Sequence, residues 1–314
     1  MTPALVLAGY ALVVAWFLPR PLTRLTSQGV SIRPGLAAWL GAMASAALAA
    51  GMALQFLIRA VVGGWPQLSE AVCRSVAGAA CTRAVYGSAA FELGLGAVTA
   101  VATVMAAVAG WRYARRTRRA RRHTRAHAEA ARLTGQALPG TEAVVLPDPR
   151  PAAYCVAGRP GAIVLTSGAL AMLEQPQLDA VLAHERAHLA RRHHVLITLT
   201  TGLAAAVPGA PLFARGKAEV ARLAEMSADD AAVRASGRTA LVTALLAIGT
   251  GAAVHAGGVV PPAALGAAGH EVPARLERML TPPAPARRVW YGLALVALLV
   301  AMLVLPAALA TVAG

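Results

Sequence analysis

The sequence predicts a mainly α-helical integral membrane protein: four transmembrane helices and an α+β domain with a small β-sheet. Three observations lead there. The chain of 314 residues is 57% hydrophobic and only 14% charged, with a mean hydropathy of +0.59, too apolar for a soluble domain of that length. The apolar residues are gathered into blocks long enough to cross a bilayer. One interval between blocks instead mixes short Val- and Ile-rich runs with helical patterns, as a folded domain does.

The spans follow from the blocks. Residues 4–18 form the first, interrupted only by Gly9 and Tyr10, and with their flanks they span about 2–19. Residues 35–58 form the second. Residues 94–111, preceded by Phe91 and Glu92, give a third span over about 91–111. The fourth covers 287–314, opened by Trp290 and Tyr291 as interface anchors. A buried core helix is the alternative for each block, and arginines at the block ends argue against it.

Orientation follows from the same arginines. Arg112, Arg115, Arg116, Arg118, Arg119, Arg121, Arg122 and Arg125 crowd the end of the third span, which is expected on the cytoplasmic side. Arg20, Arg24 and Arg33 lie between spans one and two, and Arg287 and Arg288 precede span four. This places both termini and the 60–90 loop outside, and residues 113–286 in a cytoplasmic domain. Arg59, Arg74 and Arg83 in the outer loop oppose that placement, and the larger cluster decides it. No basic region precedes the first block, which reads as a retained anchor.

A net charge of +15 raises the question of nucleic acid. Direct nucleic-acid binding is not expected, because the basic run abuts a span and meets lipid headgroups there. Beyond Trp111 and Tyr113 no aromatic residues alternate with the arginines. Lys217 is the sole lysine, which looks like the codon bias of a GC-rich genome. On this topology Cys73 and Cys81 fall outside, where close spacing and an oxidising exterior predict a disulfide. Metal binding by that pair is the alternative, but no histidine accompanies it. Cys155 is expected as a free cytoplasmic thiol.

Within 113–286, a helix is expected to continue from span three to about Leu133. Ala143–Leu146, Tyr154–Ala157 and Ile163–Thr166 read as strands, with Gly158-Arg159-Pro160-Gly161 as a hairpin turn. A helix is predicted from Pro176 to about His194, with Leu178, Val181 and Leu182 facing inward. Residues 195–214 are apolar but must double back, at Pro208-Gly209-Ala210-Pro211, or lie against the other helices near the inner leaflet. Residues 239–256 are expected to pack beside them.

That predicted helix contains His184-Glu185-Arg186-Ala187-His188, an HExxH pattern of which roughly 0.01 matches are expected by chance. Positions i and i+4 share a helix face, so His184 and His188 can reach one Zn2+ ion, with Glu185 beside them as the base that deprotonates a water. A catalytic zinc site needs a third protein ligand and an open position. Glu225 is read as that ligand. Asp229, one turn on, is read as the acceptor that orients a liganding imidazole. The alternative is that Glu225 and Asp229 are ordinary charges on a solvated face. His193 and His194 read as interface or surface residues, with assistance to the oxyanion by one of them as the alternative. Arg234 is a weak candidate for assisting the oxyanion, with a surface charge the more common reading of such a residue.

The HExxH helix, the preceding Ile163–Leu170 segment and the Arg275-Leu276-Glu277-Arg278-Met279-Leu280 run resemble the BlaR/MecR-type membrane metallopeptidases, the antirepressor peptidases of bacteria. The layout of spans and domain resembles theirs over nearly the whole chain. The Glu225–Asp229 spacing is equally similar to the HtpX and CAAX prenyl protease group, with the same gluzincin core. The resemblance implies a zinc-dependent endopeptidase working near the bacterial cell membrane. Its implied substrate is a protein or peptide, such as a transcriptional repressor or the protease itself. Receptors of the first type carry a penicillin-binding sensor domain after the last span. The sequence runs to Gly314 without one, so direct antibiotic sensing is not expected. Quality control of membrane proteins, as in the HtpX group, is a second expectation. A non-catalytic membrane sensor with a structural zinc is a third.

Overall fold

In the computed structural model, described over residues 2–27, 31–75, 82–156, 161–254, 272–281 and 284–313, helices surround one small sheet. Helices α1 (Thr2–Phe17) and α2 (Pro19–Thr26) meet at a 45° bend. The first span, expected over about 2–19, corresponds to α1, and the bend falls at its end. Pro19 is the cause, since it has no N–H to carry the helix through and is suited instead to a helix's first turn.

Helix α3 (Ile32–Ser75) and helix α4 (Thr82–Thr134) are each long. Ile32–Val61, Leu93–Ala120 and Ala286–Leu309 are each long and apolar enough to cross a membrane, and the bent pair makes a fourth if counted as one span. The 60–90 interval, expected as a loop, is helical up to Ser75 and again from Thr82. Its alanines support helix propagation. The expected Cys73–Cys81 disulfide lies outside the described part of the molecule.

Four strands follow α4: β1 (Gln136–Ala137), β2 (Ala143–Leu146), β3 (Ala153–Val156) and β4 (Ala162–Thr166). Their order is β1-β2-β4-β3, with β2 parallel to β4 and the other pairs antiparallel. Strand β1 is absent from the sequence expectation, being too short to show an alternating pattern. The centre of β4 is fully buried, as an unbroken Ile-Val-Leu run requires when both faces are covered. Strand β3 forms one edge of the sheet. The turn expected at residues 158–161 lies mostly outside the described residues.

Thr166 closes β4 and caps α5 (Ser167–Met172), its Oγ1 accepting from the Ala169 N–H at 3.2 Å. Helix α6 (Gln175–Ala190) starts with a capping box, the Glu174 N–H donating to Gln177 Oε1 at 3.0 Å. Leu178, Val181 and Leu182 on α6 pack into the core beneath the sheet, together with Ile163 and Leu165. The helix expected to reach His194 stops at Ala190. Arg192 then takes φ 53°, the one non-glycine residue with positive φ among those described, and α7 (His193–Ala206) leaves in a new direction. No composition signal marks that break, because a left-handed turn usually carries glycine or asparagine.

The chain reverses at Pro208–Ala210, where Gly209 adopts φ 88°, and α8 (Pro211–Ser236) returns past α7. Helix α8 belongs to both parts of the molecule. Its first half packs Leu212, Phe213 and Val220 against Trp39 and Met43 of α3. A Cβ on Gly216 would come within 2.8 Å of Met43 Sδ, so glycine permits that close approach. Its second half lies against α6. Helices α9 (Arg238–Val254) and α10 (Val272–Leu280) cover this pair, and α11 (Pro285–Ala313) packs on α1 and α3.

Candidate metal centre

The centre lies where α6 and α8 cross. His184 and His188 project from one face of α6, with Nε2 atoms 3.1 Å apart. Glu225 projects from α8 toward both. Its Oε2 is 3.5 Å from His184 Nε2 and its Oε1 is 3.5 Å from His188 Nε2. One ligand atom from each of the three lies within 4.8 Å of the others. Both histidines are buried, and Glu225 is nearly so.

Zinc bonds of about 2.0–2.1 Å at tetrahedral angles put ligand atoms about 3.3 Å apart, close to these separations. Glu225 Oε2 is buried and makes no hydrogen bond, although Arg275 Nη1 stands 3.3 Å away. A buried carboxylate oxygen left in that state is expected of a metal ligand. Two nitrogens, one oxygen and an unpaired lone pair aimed at one point fit a zinc ion.

Asp229, one turn beyond Glu225, is 1% exposed, with Oδ1 3.1 Å from His184 Nδ1, close but outside ideal hydrogen-bond alignment. Arg275 of α10 holds the same carboxylate with two parallel bonds, Nε to Oδ2 at 2.8 Å and Nη2 to Oδ1 at 2.6 Å. Arg275 is itself 2% exposed. The sequence reading assigned it no role in the site, and its burial has no local signature. Arg234, the weak oxyanion candidate, is exposed on α8. Asp230 is occupied by Arg278 at 2.8 Å.

Glu185 is buried beside the ligands. Burial raises its pKa against the pull of His184, so its carboxylate accepts a proton more readily than an exposed one. The Cys155 thiol of β3, the strand that packs against α6, lies near enough to this carboxylate to feel its charge. Burial and the neighbouring acids push that thiol well up, which makes it an inert neutral group. This proximity also shows that the edge strand β3 runs beside the base.

The two imidazoles titrate in opposite directions. Burial opposes the charged form of both. Contacts with Asp229 and Glu225 outweigh it at His184, held up at about 10. At His188 burial outweighs the pull of Glu225, and the group is pushed down to about 3. Asp229 and Glu225 are both lowered, the opposing burial being outweighed by His184 and Arg275.

His193, read from the sequence as an interface or surface residue, is 1% exposed, and its Nδ1 is 3.0 Å from His188 Nδ1. The early end of α6 is the reason, since the left-handed residue Arg192 swings α7 back under the ligand. His194 is half-buried.

Residues 114–210 match the model of Peptidase family M48, less than half of the chain. The protein named Protease HtpX homolog from Pelotomaculum thermopropionicum (strain DSM 13744 / JCM 10971 / SI) is 37% identical over 79 residues, 24% of this chain. The chain covers 28% of that relative's length. No solved structure matches. The finer likeness to BlaR/MecR-type peptidases rests on the sequence motifs alone. The chain is thus similar to Peptidase family M48 over the segment that carries His184, Glu185 and His188, while Glu225, Asp229 and Arg275 lie beyond that segment.

Proposed function

We propose that this protein is a membrane-bound zinc endopeptidase. The observation that carries the reading is the convergence of His184, His188 and Glu225, with Glu185 beside them, from two helices that share no local sequence. His184, His188 and Glu225 would hold the ion, and Asp229 would orient His184. Zinc held there would supply the Lewis acidity that lowers the pKa of a water and polarises a carbonyl. Glu185 takes the proton of the attacking water and passes it to the leaving amine, a role its raised pKa suits. Strand β3, at the sheet edge beside Glu185, is placed to pair with an extended peptide and lay it across the site.

The substrate in this reading is a protein segment near the inner membrane surface, with residues 113–286 cytoplasmic and both termini outside. Cleavage of a repressor or of another signalling protein is the regulatory form of the reading, supported by the BlaR/MecR-like motifs. Turnover of membrane proteins is its equal, supported by the likeness to a Protease HtpX homolog.

The test is metal content and peptide cleavage by the full chain in detergent. Wild type is expected to hold one zinc per chain. Glu225→Ala is expected to lose it, whereas Glu185→Gln keeps the zinc and loses about 10²–10⁴-fold in rate. A folded wild type without zinc, or a fully active Glu185→Gln, refutes the reading.

A further inference from the structure

Each imidazole at the centre has a second nitrogen, and the two are treated differently. His184 Nδ1 faces the Asp229 carboxylate, whereas His188 Nδ1 meets another imidazole at 3.0 Å. We propose that His193 is the positioning residue for His188, accepting its Nδ1–H and so fixing Nε2 toward the metal. The inference rests on the zinc reading above.

The tautomers follow by elimination. An imidazole that binds metal through Nε2 carries its proton on Nδ1. His188 therefore donates, and His193 must offer a lone pair at Nδ1, with its own proton on Nε2. The rings stand nearly perpendicular at 86°, with centroids 4.7 Å apart, an edge arrangement that allows an in-plane contact.

The backbone around His193 is built for this contact. Arg192 occupies the left-handed region at φ 53°, where a long side chain is uncommon, and the Arg192 N–H donates to Leu189 O at 3.1 Å. Arg191 ties the same elbow to α8, Nη1 donating to Ser227 O and, at 2.6 Å, to Ser227 Oγ. Ser227 sits between Glu225 and Asp229 in the chain. The elbow that delivers His193 to one ligand is therefore clamped to the helix that delivers the other. A neutral partner also has a chemical consequence. Asp229 adds negative charge behind His184, whereas His193 orients its ligand without adding any. The metal keeps more of its Lewis acidity than a second carboxylate would leave it.

The experiment compares wild type with His193→Ala and His193→Asn as full chains in detergent. Asn places a carbonyl oxygen where His193 has Nδ1, and Ala places nothing. Zinc affinity is read by competition with a chromophoric chelator, the d–d spectrum by cobalt(II) substitution, and thermal unfolding in excess EDTA. His193→Ala is expected to lose about 10–100-fold in zinc affinity and to shift the cobalt spectrum. His193→Asn is expected to recover most of both, with little change in unfolding in EDTA for either variant. Zinc affinities of both variants within twofold of wild type overturn the proposal and leave the protease reading intact. Equal losses in Ala and Asn, matched by equal loss of stability in EDTA, show a packing role and overturn it too. A wild type that takes up no zinc overturns both readings.

Discussion

Two groups of arginines in this chain live under opposite conditions. Arg275 is 2% exposed and meets two carboxylates, those of Asp229 and Glu225. Along α4, Arg112, Arg115, Arg116, Arg119 and Arg122 are exposed, and no carboxylate pairs with them among the described residues. The chain has 29 basic residues and 14 acidic ones, so about half of the basic residues cannot have an acid of their own. Glu185 and Asp229 are buried and Glu225 nearly so, and these are the acids held where water is excluded. A buried charge without a partner costs several kcal/mol, whereas an exposed one is solvated at almost none. The centre can hold Glu185, Glu225 and Asp229 close together because Arg275 and the metal ligand role offset their repulsion.

The strongest way to break the contrast is to remove Arg275. Arg275→Ala would strand the Asp229 carboxylate inside the protein, and a loss of about 3–5 kcal/mol is expected in denaturant unfolding. Arg275→Lys is expected to recover only part of this, because an ammonium cannot make the parallel pair of bonds. A variant as stable as wild type would show that the pair is incidental.

Acid offers a second, smaller lever. The close contact with His184 and the paired hydrogen bonds from Arg275 hold Asp229 below its ordinary range despite burial. A lowered folded-state pKa contributes stability that is complete well above the unfolded value of about 4 and is lost as pH falls through the folded value. Wild type is therefore expected to weaken as the pH falls below about 4. Asp229→Asn is expected to be weaker at neutral pH and flatter across that acid range. Parallel unfolding curves against pH for the two proteins would assign the acid sensitivity to other groups.

The same contrast explains what could be read from the sequence. His184, Glu185 and His188 were legible because one helical turn relates them, whatever the rest of the fold does. Glu225 was readable through the scarcity of acids in so apolar a chain. Arg275 was not, since it lies 46 residues from Asp229 and its burial is a tertiary fact. His193 was missed because the end of α6 depends on a left-handed arginine that no residue preference announces. The apolar blocks gave the long helices correctly, but not the bend at Pro19 or the helical stretches between residues 60 and 90.

The smallest effect belongs to α4, and it is the sharpest test of solvation against pairing. Tyr113 and Thr117 face α7, where a Cβ on Gly202 would stand 2.6 Å from Tyr113 Cδ2, so that side of α4 is tightly packed. Trp111, Arg115, Arg118 and Arg122 lie on the other side, Arg115 stacking 5.1 Å over the Trp111 ring. Nothing on that outer face depends on a buried partner. Arg118→Gln or Arg122→Gln is thus expected to change unfolding free energy by no more than about 0.5 kcal/mol in neutral detergent. Thr117→Arg, on the packed face, inserts a charge against α7 and is expected to cost several times more. If the outer variants proved as damaging as the inner one, the arginines of α4 would have partners after all, and the division between a paired interior and a solvated stalk would fail.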